Sequence, residues 1–201
     1  FKFILLSFFI ILIFANYFYG SYKINSNSKH ANLNFLNFKI VSAGMNLSDF
    51  KNENEVVSKL IKYSEPLNSK KTIFVWPEGI FLNENFISQK DIKDLFKKNF
   101  SGNHIIIFGA NTSKKINSNK KYFNSMIITD NNFDIISQYD KKKLVPFGEF
   151  LPFENFFINL GLKKVTQGYI SFTPGDKRNI INLENFNFIP LICFEIIYSG
   201  N

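Results

Sequence analysis

The sequence predicts a mixed α/β domain standing behind one transmembrane helix, and three observations predict it. Residues 3–19 form an apolar run broken only by Ser7 and Asn16. Between residues 38 and 108, short β-branched or aromatic runs alternate with segments of helical periodicity, the pattern of strands covered by helices. From residue 122 onward the apolar runs follow one another across short polar turns, which reads as hairpins. With 201 residues the chain can hold one domain with a sizeable core, plus an appendage.

The elements follow in order. At a rise of about 1.5 Å per residue, the run 3–19 approaches the hydrocarbon thickness of a bilayer. A secretory signal would need a small-residue cleavage site, whereas Asn16-Tyr17-Phe18-Tyr19 suits an interfacial belt. Lys2 and Lys23 flank the run almost symmetrically and give no orientation. Residues 1–22 are therefore read as a transmembrane helix closing a larger membrane domain, 23–36 as a polar linker, and 37–201 as a truncated α/β domain. The chain opens on Phe1 and stops eight residues after Cys193, so a fragment of a longer protein is expected.

Within the domain, 38–43 reads as a first strand. A helix follows over 48–63, its apolar face made by Val56, Val57, Leu60 and Ile61 and its end set by Pro66. A second strand covers 72–76, and a helix capped by Ser88 covers 89–98. Residues 105–108 form a buried strand, 122–129 and 133–139 a hairpin, and 180–183 with 186–192 a last pair. The stretch 188–195 is expected to be a strand that brings Cys193 to its end, with Glu195 on the same side of the alternation.

Composition excludes several classes of function. The net charge of +8 comes from scattered lysines with a single arginine, Arg178. No basic stripe interleaved with aromatics exists, which argues against nucleic acid as a partner. One cysteine forms no internal disulfide, and His30 and His104 lie too far apart to suggest a metal site.

Three segments carry unusual chemistry at strand ends. Trp76-Pro77-Glu78-Gly79 places a carboxylate between residues that stiffen the backbone. Tyr139-Asp140-Lys141-Lys142-Lys143-Leu144-Val145-Pro146-Phe147-Gly148-Glu149-Phe150 leaves a strand with Lys141 placed to point inward. Cys193-Phe194-Glu195 supplies the third group. A surface acid, a solvated lysine patch and a core thiol are the plain alternatives. Together the three make a reaction possible: a thiol needs a base to take its proton and a cation to stabilise the anion it generates.

These segments, in this order, resemble the Glu-Lys-Cys motifs of the nitrilase (carbon–nitrogen hydrolase) superfamily. The longer wording, Tyr139-Asp140-Lys141-x-x-Leu144-Val145-Pro146-Phe147-Gly148-Glu149-Phe150-x-Pro152 together with Tyr122-Phe123-Asn124-Ser125, resembles the apolipoprotein N-acyltransferase family. One departure is the loop Ser42-Ala43-Gly44-Met45-Asn46, where that family has a Gln-(Gly/Pro)-Asn-Ile motif.

The resemblance implies an α/β fold of the nitrilase-like α-β-β-α sandwich type, incomplete at its C-terminus and preceded by one transmembrane helix. It implies no cofactor and no metal. It places the domain on the periplasmic side of the bacterial cytoplasmic membrane. The implied reaction moves an acyl chain from a phospholipid, through a Cys193 thioester, to the diacylglyceryl-cysteine N-terminus of an apolipoprotein. Glu78 would be the base, Lys141 and the Phe194 N–H the oxyanion donors, and Glu149 and Glu195 supporting acids. The apolar residues Phe153, Phe156, Phe157, Leu160 and Leu162 crowd the segment after the lysine motif. They are read as a lipid-contacting loop, with packing into the core as the alternative. A membrane-anchored amidase or nitrilase and a non-catalytic membrane-tethered binding domain are the rival readings.

Overall fold

Five strands carry the domain, and their order in the sheet is their order in the chain. The computed structural model describes residues 2–27, 37–42, 44, 52–150, 152, 171–183 and 186–198. The chain divides into two compact units, 1–35 and 36–201.

In the first unit, α1 (Lys2–Asn27) is a single helix of 26 residues. Its apolar part is long enough to cross a membrane, with a mean hydropathy of 2.1. The helix continues through Ser21-Tyr22-Lys23-Ile24-Asn25-Ser26, where the polar composition suggested a linker. A composition of this kind lowers hydropathy without breaking backbone hydrogen bonding, and no Pro or Gly lies in that stretch to stop the helix.

In the second unit, β1 (Asn37–Ile40), β2 (Thr72–Val75) and β3 (His104–Ile116) are parallel. Between β1 and β2 runs α2 (Glu53–Ser64). Asn52 caps it by accepting from the Glu55 N–H at 3.0 Å, and Glu65 closes it in the left-handed conformation just ahead of Pro66. Between β2 and β3 runs α3 (Lys90–Asn99). Ser88 does not cap α3; its hydroxyl donates to the Asn85 carbonyl in a preceding 3₁₀ turn, Phe86–Ser88. The expected apolar face of α2 is buried, together with Ser64.

The strand expected at 105–108 is much longer. β3 runs to Ile116 and turns across Asn117 and Ser118, both at positive φ, into β4 (Asn119–Thr129). Two consecutive left-handed residues make the tight hairpin turn whose twist matches its strands. β5 (Ile135–Asp140) pairs antiparallel with β4. The turn between them is held by Asp130, whose carboxylate accepts from the Asn132 and Asp134 N–H groups.

Each face of the sheet has its own core. Toward α2 and α3 lie Phe74, Trp76, Phe81, Phe86, Phe96, Phe100, Phe108 and Phe133, an aromatic cluster in which Phe108 and Phe133 stack. The indole of Trp76 donates to Ser64 at 2.9 Å, so the buried N–H is satisfied. On the opposite face, Ile73, Ile107, Ile128 and Tyr139 meet Ile181, Leu183 and Ile192. Ile181 and Leu183 belong to β6 (Ile181–Leu183), which pairs antiparallel with β7 (Phe186–Phe188) in a second sheet. Helices, sheet and second sheet thus stack in the order of a nitrilase-like α-β-β-α sandwich, and the described residues supply its first three layers.

The expected strand over 188–195 ends early. β7 stops at Phe188, and Cys193–Tyr198 is a 3₁₀ helix. Pro190 explains the stop, because it has no N–H to give to a ladder. Cys193 and Glu195 consequently do not share one face: the thiol is exposed while the carboxylate is fully buried.

Candidate active site

Strand ends and the segments leaving them assemble the site on the side of the sheet that faces β6 and β7. Beyond β2 the chain continues beside β3 as Trp76-Pro77-Glu78-Gly79, with the Gly109 N–H donating to the Pro77 carbonyl at 3.1 Å. Gly79 takes a φ of +70°, which turns the chain directly after Glu78. Gly109 of β3 lies under this segment. A Cβ there would stand 2.6 Å from Glu78 Cα and 2.8 Å from Gly79 N, so only glycine admits the close approach.

Lys141 follows β5 directly, and its N–H donates to the Asn124 carbonyl of β4 at 2.9 Å. Its side chain is 1% exposed. The ammonium donates to Glu149 Oε1 at 2.9 Å and lies 3.9 Å from Glu78 Oε1. The Asn124 amide bridges the same two carboxylates, donating to Glu78 Oε1 and to Glu149 Oε1, each at 2.7 Å. One amide carries two N–H groups, so both acids are served by a single side chain. A cation and an amide between two acids relieve the repulsion that would otherwise drive them apart. Glu149 is fixed further by the Val145 N–H, which donates to its other oxygen at 2.8 Å. Glu149 therefore folds the loop 141–149 back onto the lysine that begins it.

Cys193 opens the 3₁₀ helix at φ +53°. A non-glycine residue in the left-handed region stores strain and recurs at functional turns, where it lifts a nucleophile clear of the backbone. The next residue, Phe194, lies under Lys141, with Nζ 5.3 Å from the ring centroid. Glu195 accepts from the Lys142 and Lys143 N–H groups at 3.0 and 2.9 Å and from the Ile192 N–H at 2.9 Å. The turn bearing the thiol is thus tied to the loop bearing the lysine. Glu78, Lys141 and Glu149 are brought into direct contact, and Phe194 and Glu195 join them through the ring and the loop amides. Among the described residues no hydrogen bond joins the Cys193 thiol to Glu78 or Lys141. Phe153, Phe156, Phe157, Leu160 and Leu162 lie outside the described residues.

Two site residues carried no assigned role in the sequence. Asn124 lies in the Tyr122-Phe123-Asn124-Ser125 motif, and alternation along β4 separates it from Ser125. Asn124 shares the face of Met126 and Ile128, which pack toward β6 and β7, whereas Ser125 shares the opposite face with Ile127. Gly109 had no local signal at all, because its reason is the neighbouring backbone.

Ser125 opens a network on the far face that holds β4 and β5 in register. Its hydroxyl donates to Asp140 Oδ1 at 2.7 Å and shares a hydrogen bond with Thr112. Asp140 also accepts from Gln138 at 2.6 Å and from Lys114 at 2.5 Å. Burial pushes the Asp140 carboxyl up, but the hydrogen bonds from Lys114, Gln138 and Ser125 outweigh it and hold the group below the ordinary value of 3.8. A carboxyl with a lowered folded value contributes stability at neutral pH and loses it as the pH falls from the unfolded value through the folded one. Asp140→Asn is expected to cost about 1–3 kcal/mol at pH 7. Urea unfolding should show that deficit shrinking as the pH falls below about 4; a deficit independent of pH would contradict the assignment.

No family model matches the chain. The chain is 34% identical over 135 residues to the apolipoprotein N-acyltransferase of Rhizobium leguminosarum bv. trifolii, an alignment covering 64% of this chain and 24% of that protein. The enzyme of that name from Rickettsia prowazekii is 31% identical over 141 residues, 70% of this chain and 28% of its own length. The one from Brucella suis is 43% identical over 79 residues, 39% and 15% respectively. The similarity in sequence is to part of these N-acyltransferases. It spans about a quarter of the length of the first of these curated relatives. Among solved structures, an amidase from Nesterenkonia sp. aligns over 80% of this chain and 55% of its own at 10% identity and a TM-score of 0.41, a similarity too loose to bear on function.

Proposed function

We propose that the chain is the catalytic part of an N-acyltransferase that moves a fatty acyl group from a phospholipid to the N-terminal diacylglyceryl-cysteine of apolipoproteins. The observation that carries this reading is the buried Lys141 ammonium, held between Glu78 and Glu149 and directly over the ring of the residue after Cys193. A cation so fixed is preorganised for an oxyanion beside the thiol. Similarity to the three N-acyltransferases supports the choice of reaction within the wider superfamily.

In this reading Glu78 takes the thiol proton as Cys193 Sγ attacks the ester carbonyl. Lys141 and the Phe194 N–H stabilise the tetrahedral oxyanion. Its collapse breaks the ester C–O bond, and the leaving lysophospholipid oxygen takes the proton back from Glu78. The α-amine then attacks the thioester, loses a proton to Glu78, and expels the thiolate, which is reprotonated as the amide forms. Glu149 and Glu195 hold the lysine and the thiol turn rather than exchange protons with substrate. No cofactor or metal takes part. The α1 helix anchors the protein in the cytoplasmic membrane with the catalytic domain on the periplasmic side, where both substrates lie in the bilayer. In the same reading Phe153, Phe156, Phe157, Leu160 and Leu162 are the residues that contact lipid.

The test offers the membrane-reconstituted protein a phospholipid with a diacylglyceryl lipopeptide, and separately a panel of small amides. Transfer of the acyl chain to the lipopeptide amine is expected. Hydrolysis of amides without transfer would make the protein a membrane-anchored hydrolase instead.

A further inference from the structure

Behind the thiol turn lies a polar network that the proposed chemistry does not use. Besides the three backbone amides, the fully buried Glu195 accepts from the Tyr139 hydroxyl, at 2.9 Å to Oε1 and 3.2 Å to Oε2. That hydroxyl has a further hydrogen-bond partner, the Lys142 N–H at 3.3 Å. An N–H can only donate, so the single hydroxyl proton goes to Glu195. Arg178, the sole arginine of the chain, donates from Nη1 to the Tyr198 carbonyl at 3.0 Å. Tyr198 ends the 3₁₀ helix that Cys193 begins. One guanidinium thus holds the far end of that helix, and one hydroxyl holds the carboxylate two residues past the thiol. The same carboxylate holds the amides of Lys142 and Lys143, directly after Lys141.

We infer that Tyr139 and Arg178 are positioning residues that join the lysine loop to the cysteine turn, so that Lys141 and Cys193 are held as one unit. The inference rests on the reading of Cys193 as nucleophile and Lys141 as oxyanion donor. Tyr139 is 4% exposed within the apolar cluster shared with Ile181, Leu183 and Ile192. If filling that space were its whole task, phenylalanine would serve equally. Its hydroxyl and Arg178 are what distinguish a clamp from a core residue.

Tyr139→Phe removes the hydroxyl and keeps the ring, while Arg178→Gln and Arg178→Lys remove or keep the charge. In the membrane-reconstituted full chain, three quantities are measured: amide exchange at Lys142, Lys143 and Ile192; the rate of Cys193 alkylation by iodoacetamide; and single-turnover acylation of Cys193 by phospholipid. Alkylation needs a thiolate but no oxyanion donor, so it reads the thiol without the lysine. For Tyr139→Phe, exchange at the three amides is expected to rise about tenfold. Acylation at saturating phospholipid should fall about 10- to 100-fold with unchanged half-saturation, on the scale of a small misplacement of a catalytic group. Alkylation should stay within about threefold. Arg178→Gln should reproduce this and Arg178→Lys restore part of it. Wild-type acylation in Tyr139→Phe, or acylation and alkylation falling together, would overturn the inference. If the wild-type protein takes no acyl group on Cys193, the underlying reading fails too, and amide exchange alone still reports whether the clamp exists.

Discussion

Lys141→Met is expected to slow acylation of Cys193 by about 100- to 1000-fold, the usual cost of losing one oxyanion donor. The substitution keeps an unbranched side chain of similar length in a space with almost no solvent. It also leaves Glu78 and Glu149 facing each other with Asn124 as their only shared donor among the described residues. Two nearby carboxylates without a cation between them repel. Replacing Glu149 as well, by Gln, relieves the repulsion without restoring the donor. Lys141→Met/Glu149→Gln should therefore regain stability against urea while acylation stays at the level of Lys141→Met. Recovery of acylation in the double variant would mean that the lysine acts only by neutralising Glu149.

Gly109→Ala is expected to cost nearly as much, although residue 109 bears no chemistry. The added Cβ would meet Glu78 Cα at 2.6 Å and Glu78 C at 3.1 Å, and backbone cannot yield as a side-chain tip can. The segment carrying Glu78 must lift from β3, breaking the Gly109–Pro77 and Ile80–Gly109 hydrogen bonds. Displacing a base by about 1 Å costs on the order of 100-fold in rate, and overpacking of this kind costs about 1–3 kcal/mol. Acylation kinetics with unfolding of the same variant would separate the two. A variant with wild-type acylation would show that the Glu78 carboxylate need not hold its place.

The fold was legible where a physical signal is local. The apolar face of α2, the buried runs of β2 and β3, and the hairpin across Asp130-Asn131-Asn132 all carry periodicity or turn chemistry that survives folding unchanged. It was not legible where tertiary context decides. The hairpin over 104–129 was hidden because Asn111-Thr112-Ser113-Lys114-Lys115 is polar. Those residues stay in a strand because each pairs across to 120–124, and of the five only Thr112 is buried. The turn at Cys193 was read as strand because its apolar run is long, while Pro190 within it marked the break.

In the site, Lys141 and Glu78 stand out from their motifs. Asn124 becomes visible only once the alternation of β4 is known, and Tyr139 only once Glu195 accepts from its hydroxyl. Each sits among other polar residues of its strand, so neither stands out in the sequence.

The central claim is that Cys193 carries the acyl group. Intact-protein mass spectrometry after incubating the membrane-reconstituted protein with phospholipid alone tests it most directly. One acyl adduct is predicted, located on Cys193 by peptide mapping and absent in Cys193→Ala. Adding the lipopeptide should discharge it far faster than water does, since a shared thioester links two half-reactions. A protein that transfers the acyl chain while Cys193 stays unmodified, or while Cys193→Ala remains active, would contradict the account.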